Sequence, residues 1–147
     1  MTSIDSGLAA LLPAAGVCHV RATATQTLTP GRDSPVVFGA AAVDDEGMWD
    51  PAQPTRITVR TAGAYAVYGI VTFAAGEADR RATYRRNGTD VMSASTGPAA
   101  DGAELELAVT IVRLAAGDYL ELTATGPLAT TLAQDGCQLA VARLDRR

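Results

Sequence analysis

Residues 63–75 read Gly-Ala-Tyr-Ala-Val-Tyr-Gly-Ile-Val-Thr-Phe-Ala-Ala, and they constrain this chain more than any other stretch. β-Branched and aromatic residues dominate, Thr61-Ala62-Gly63 supplies a turn before them, and polar Gly76-Glu77-Ala78-Asp79 follows. That composition favours a strand, and Gly69 would cost a helix interior about 1 kcal/mol. Alternate side chains of a strand point to opposite faces. One face therefore carries Tyr65, Val67, Val71 and Phe73, the other Ala64, Ala66, Tyr68 and Ile70. Both faces are apolar, whereas an antiparallel sheet normally wets one of them. Cover for the second face has to come from a loop, from the N-terminal segment or from another copy of the chain, and self-association is the expectation.

The remaining pattern is of period two. Cys18, Val20, Ala22 and Ala24 alternate with polar neighbours, and Ile57 and Val59 alternate against Arg56, Thr58 and Arg60. Arg80 to Arg86 reads as an arginine-studded strand, followed by Asn87-Gly88, a strong hairpin signal, with 91–95 as the return. Between Glu104 and Leu114 the alternation places Leu105, Leu107, Val109 and Ile111 inward. Ala116-Gly117-Asp118 is a turn before 119–124, and 137–144 is the last strand. Eight to ten short strands with little helix predict an all-β sandwich or barrel. Residues 1–16 read as an arm, with a short helix over 7–12 whose apolar side is Ile4, Leu8, Leu11 and Leu12. Residues 17–147 read as the domain.

The chain of 147 residues is long enough to bury a core without disulfide or metal staples. Its net charge is −4, so nothing pulls it globally toward nucleic acid or an anionic membrane. All 12 basic residues are arginine. The N-terminus lacks the basic lead of a secretory signal, and Pro13 breaks the one apolar run there, so neither secretion nor membrane insertion is expected.

Gly63-Ala-Tyr-Ala-Val-Tyr-Gly-Ile-Val-Thr-Phe73 resembles the Gly-x-Tyr-x-x-Tyr-x-x-Val-x-Phe strand of the tumour necrosis factor superfamily and of its relative, the globular head of complement component one, subcomponent q. Leu114-Ala-Ala-Gly-Asp-Tyr-Leu-Glu-Leu122 is similar to a turn and strand of the same group, as are the Arg85-Arg86-Asn87-Gly88 hairpin and the closing strand 137–144. The resemblance covers roughly residues 17–145. It implies a jelly roll of about ten antiparallel strands that assembles as a homotrimer, with Tyr65 and the closing strand near the three-fold axis. The implied interface is then Tyr65, Val67, Val71, Phe73 and Leu144. In that strand order the first and last strands pair antiparallel, which sets Cys18 and Cys137 at opposite ends, roughly 20 Å apart. A disulfide needs Cα atoms within about 7 Å, so no bridge is expected.

Candidate chemistry is sparse. His19 is the single histidine and lacks a nucleophile context, so it reads as a solvent-facing or interface residue. Glu104 and Glu106 share a strand face about 6.6–7 Å apart, a span glycosidases use, yet one tryptophan offers little to stack a sugar. Asp44, Asp45, Glu46 and Asp50 form an acidic loop without EF-hand spacing. Trp49 inside it either plugs a core edge or anchors a contact. Arg80, Arg81, Arg85 and Arg86 form a basic patch, either a solvated strand pair or a salt-sensitive dock for an acidic partner.

No enzyme, cofactor or metal site is expected. The expectation is a non-enzymatic virion structural protein of a bacteriophage, assembled in the host cytoplasm as a homotrimeric capsid decoration or head-fibre knob. Ile4, Leu8, Leu11 and Leu12 would dock it on the major capsid or another virion protein. The alternative is a tail-tip knob for host attachment, using Asp44, Asp45 and Trp49 and the 96–102 loop on surface glycans. A secreted lectin-like trimer is the remaining reading. Neither nucleic acid nor membrane is an expected partner.

Overall fold

The computed structural model describes residues 16–73, 80–97, 104–126, 130–134 and 136–144. Every regular element among them is a strand: β1 (Val17–Arg21), β2 (Gln26–Leu28), β3 (Ser34–Pro35), β4 (Ala40–Asp44), β5 (Arg56–Thr58), β6 (Gly63–Thr72), β7 (Arg80–Arg86), β8 (Asp90–Gly97), β9 (Glu104–Leu114), β10 (Tyr119–Thr125), β11 (Thr130–Leu132) and β12 (Gln138–Arg143). Two five-stranded antiparallel sheets form a sandwich. The first runs β4-β1-β12-β6-β9; the second runs β3-β10-β7-β8, with β5 also on β10, and β2 pairs β11 separately.

Period two decides which residues meet between the sheets. Along β6, Tyr65, Val67, Gly69 and Val71 are buried while their neighbours are only half-buried. Leu139 and Val141 of β12, Cys18 and Val20 of β1, and Leu120, Leu122 and Ala124 of β10 join them in one core with Phe38, Met48, Ile57, Phe73 and Tyr84. The Asn87-Gly88 turn takes positive φ at both residues, 55° and 80°, a backbone that Asn and Gly reach most readily, and the strands it joins pair Arg86 with Asp90. Asn87 is held from both sides: its Nδ2 donates to Asp118 Oδ1 at 3.1 Å and its Oδ1 accepts from the Tyr119 amide at 3.0 Å. The Ala115 amide, and then Asn87, keep the Asp118 carboxyl below its ordinary value.

The first and last strands pair antiparallel, with Cys18 opposite Val141. Cys137 receives the Ala22 amide on its carbonyl at 2.9 Å, four residues along the same ladder. That is about 13 Å of strand, shorter than the sequence suggested and still beyond disulfide reach. Both cysteines are free and buried.

Candidate assembly face

In the sequence-based expectation Tyr65, Val67, Val71 and Phe73 met a partner subunit. The structure corrects this: all four have 0% exposure within one subunit and belong to its own core. The Tyr65 hydroxyl donates to the Thr61 carbonyl at 2.6 Å inside the same chain. Two apolar faces do not reveal which is interior; the opposing sheet does. The face left outward by β6 is the one bearing Ala64, Ala66, Tyr68 and Ile70, each half-buried.

Register extends this face across the first sheet. Tyr68 lies opposite Ala140, Ala140 opposite His19, and His19 opposite Val43. In the next row Ile111 lies opposite Ala66, Ala66 opposite Ala142, and Ala142 opposite Val17. Leu144 follows Ala142 on the outward side of β12, where its amide donates to the Ala64 carbonyl at 2.7 Å. Leu144, expected at an interface, is 45% exposed here.

A bulge completes the face. Between Val67 and Gly69 the β6–β9 register shifts: Gly69 pairs with Leu107, while Val67 pairs with Thr110. One additional residue on β9 reverses the side on which the following residues point. Val109 and Ile111, expected inward, are therefore turned out, with 61% and 67% exposure. Simple alternation could not reveal this, because the bulge lies in the pairing and not in the composition. Of the five large hydrophobics exposed among the described residues, Val43, Val109, Ile111 and Leu144 belong to this face; Val37 lies elsewhere.

The middle of the face carries little polarity. His19 Nε2 lies 2.7 Å from Gln138 Oε1. Arg21 and Arg113, both exposed, mark its margins. Small alanines at 64, 66, 140 and 142 keep the centre shallow while larger side chains stand around it. The middle of such a surface can bury apolar area against a flat partner.

The other candidate residues serve the subunit itself. Asp44 accepts the amides of Met48 and Trp49, at 2.7 and 3.0 Å, and so closes the acidic loop on itself. Asp45 Oδ2 accepts from the Val17 amide at 3.4 Å. Glu46 turns in to meet the buried Arg143 at 3.3 Å, so this loop is less solvated than its composition suggests. Trp49 bridges Ile57, donates to the Pro54 carbonyl at 3.2 Å and packs on the core. Among the described residues no group of three or more His, Cys, Asp or Glu stands close enough to hold a metal.

The basic patch is dispersed. Arg80 is 2% exposed with its guanidinium 5.0 Å from the Phe73 ring centroid. Arg85 is paired with Asp33 and donates to the Thr89 carbonyl, whereas Arg81 is exposed. Ile4, Leu8, Leu11 and Leu12, the side chains of Glu104 and Glu106, and residues 98–103 lie outside the described residues.

No protein-family model matches this sequence, and no curated protein matches it. Solved structures do match the fold. Eiger TNF from S. frugiperda superposes with a TM-score of 0.70 at 12% identity, over 89% of this chain and 93% of that one. Murine APRIL, in its crystal structure at pH 8.0, gives 0.69 at 17% identity, over 87% and 98%. The globular domain of zebrafish Complement 1qA gives 0.64 at 11% identity, over 90% and 100%. At such identities the likeness is one of fold, and the sandwich is an all-β jelly roll of the kind shared by these tumour necrosis factor and complement globular domains.

Proposed function

We propose that this chain is a non-enzymatic structural protein that assembles as a homotrimer through the outer face of its β4-β1-β12-β6-β9 sheet. In this reading it forms a knob on a bacteriophage particle, as a capsid decoration or the head of a head fibre. The observation that carries the assembly is the apolar row around Ala66 and Ala142, bordered by Val109 and Ile111 at 61% and 67% exposure. Burying one such side chain contributes about 1.5–3 kcal/mol, and a contiguous exposed patch of this kind marks an interaction surface.

A second copy is the occupant that suits it. The middle of the face is shallow and apolar, with Arg21 and Arg113 at its margins and the register positions of Glu104 and Glu106 at one end, and the resemblance to the tumour necrosis factor superfamily implies a closed three-fold ring. Closed cyclic assembly leaves no copy of the face open. The virion reading draws on the compact single-domain jelly roll and on the homotrimer that the resemblance implies. The glycan-binding alternative draws little support from Trp49, whose indole is already engaged by Pro54 and the core.

Cryo-electron microscopy of intact particles, together with labelling by an antibody to this chain, tests the location. The expected result is trimeric density repeated over the head at many copies per particle. Absence of the chain from purified particles would overturn the virion reading while leaving the assembly reading standing.

A further inference from the structure

The single histidine of the chain stands on the proposed assembly face. His19 is half-buried in the row Val43–His19–Ala140–Tyr68, and its Nε2 lies 2.7 Å from Gln138 Oε1. A carboxamide oxygen accepts, so the ring donates from Nε2 and Nδ1 is the nitrogen that would take a second proton. We propose that His19 makes self-association pH-sensitive, with assembled subunits favouring the neutral ring; this rests on the homotrimer reading above.

Few charges surround the ring. On β1 itself Arg21 lies two residues along, on the same face, and is exposed. β12, paired with β1 on one side, presents Ala140, Gln138 and Ala142. β4, on the other side, presents Val43; its Asp44 is held by the Met48 and Trp49 amides. Asp45 lies at the Val17 amide, at the start of β1. Beyond β12, β6 offers Tyr68, and neither β12 nor β6 contains a carboxylate. On β9, three strands away, Arg113 lies at one end and the register positions of Glu104 and Glu106 at the other.

In a lone subunit water can solvate an imidazolium at this position. Against a second copy, the same charge would be stripped of water among alanine, valine and tyrosine. Assembled chains then bind fewer protons than free ones, so association strengthens above the protonation range and is lost as pH falls through it. Imidazole is the side chain that ordinarily titrates between about pH 5 and 8. The limiting effect is about tenfold in the association constant per pH unit for each copy whose ring is buried.

Sedimentation equilibrium on the full chain between about pH 5.5 and 7.5 tests this, using wild type, His19→Gln and His19→Leu. The expected result is a wild-type association constant that falls steeply with acidification and two variants whose constants stay level. A wild-type constant that changes less than about threefold, or variants that keep the wild-type slope, would overturn the switch with assembly intact. A chain that stays monomeric at every pH would overturn both readings.

Discussion

Gly69 of β6 and Tyr84 of β7 face each other across the sandwich with no room for a further carbon. A Cβ built on Gly69 would lie 2.9 Å from Tyr84 Cε1 and 3.2 Å from Leu122 Cδ1. The glycine that argues against a helix in the sequence is thus the hollow that receives an aromatic ring from the opposite sheet. Gly69→Ala should destabilise the fold by about 1–3 kcal/mol through overpacking, even though alanine lowers the entropy of the unfolded chain. Urea unfolding measures it, and the cost should shrink in a Tyr84→Leu background, since neighbouring sites couple.

Arg143 ends β12 with its side chain 3% exposed, and its guanidinium meets Glu46 Oε2 at 3.3 Å. Glu46→Gln keeps the shape of the acid and leaves a buried cation without a counter-charge. The expected loss is about 3 kcal/mol. Adding Arg143→Met should restore much of it, because removing both charges removes the stranded one. A double variant as unstable as the single one would contradict this.

Asp33 supplies the clearest acid dependence. Burial pushes its carboxyl upward, but hydrogen bonds from Thr125, Arg85 and Thr123 outweigh it and hold the group below its ordinary value. A carboxyl depressed in the folded state adds stability above its unfolded value and loses it as pH falls through the folded one. Asp33→Asn should cost about 1 kcal/mol at neutral pH and little at low pH. Urea midpoints at pH values on either side of the carboxylate range provide the measurement.

The thiols should be inert. Burial, and then the Asp44 carboxylate, push Cys18 up to about 12, while burial raises Cys137 against the opposing Thr72 amide. Thiolate is the reactive form. A colorimetric disulfide reagent should find no reactive cysteine in the native protein and two in denaturant; the detection of fewer than two there would contradict the unbridged geometry.

The legible parts of the fold are those whose information is local. The β7–β8 hairpin follows from Asn87-Gly88 and β12 from clean alternation, whereas the alternation of 104–114 reveals β9 as a strand but not which way its second half faces. β4 was hidden because Ala40-Ala41-Ala42 carries no apolar contrast, and β2 and β3 because two or three residues become strand only through their partners. The candidate face was half legible. Residues 63–75 show that two sides need cover, yet Tyr65 and Tyr68 look equally fit to be inside. The opposing Tyr84 and Leu122 decide between them, and the bulge that turns out Val109 and Ile111 exists only in the β6–β9 pairing.

The central claim is that the outer face of the first sheet is covered by further copies of this chain. Ala66 lies between Ala142 and Ile111 on that face, so Ala66→Glu places a carboxylate where copies would meet while leaving the core untouched. Light scattering after size exclusion should give three times the chain mass for wild type and a folded single chain for Ala66→Glu. A wild-type monomer, or a variant that still elutes as a trimer, would contradict the account.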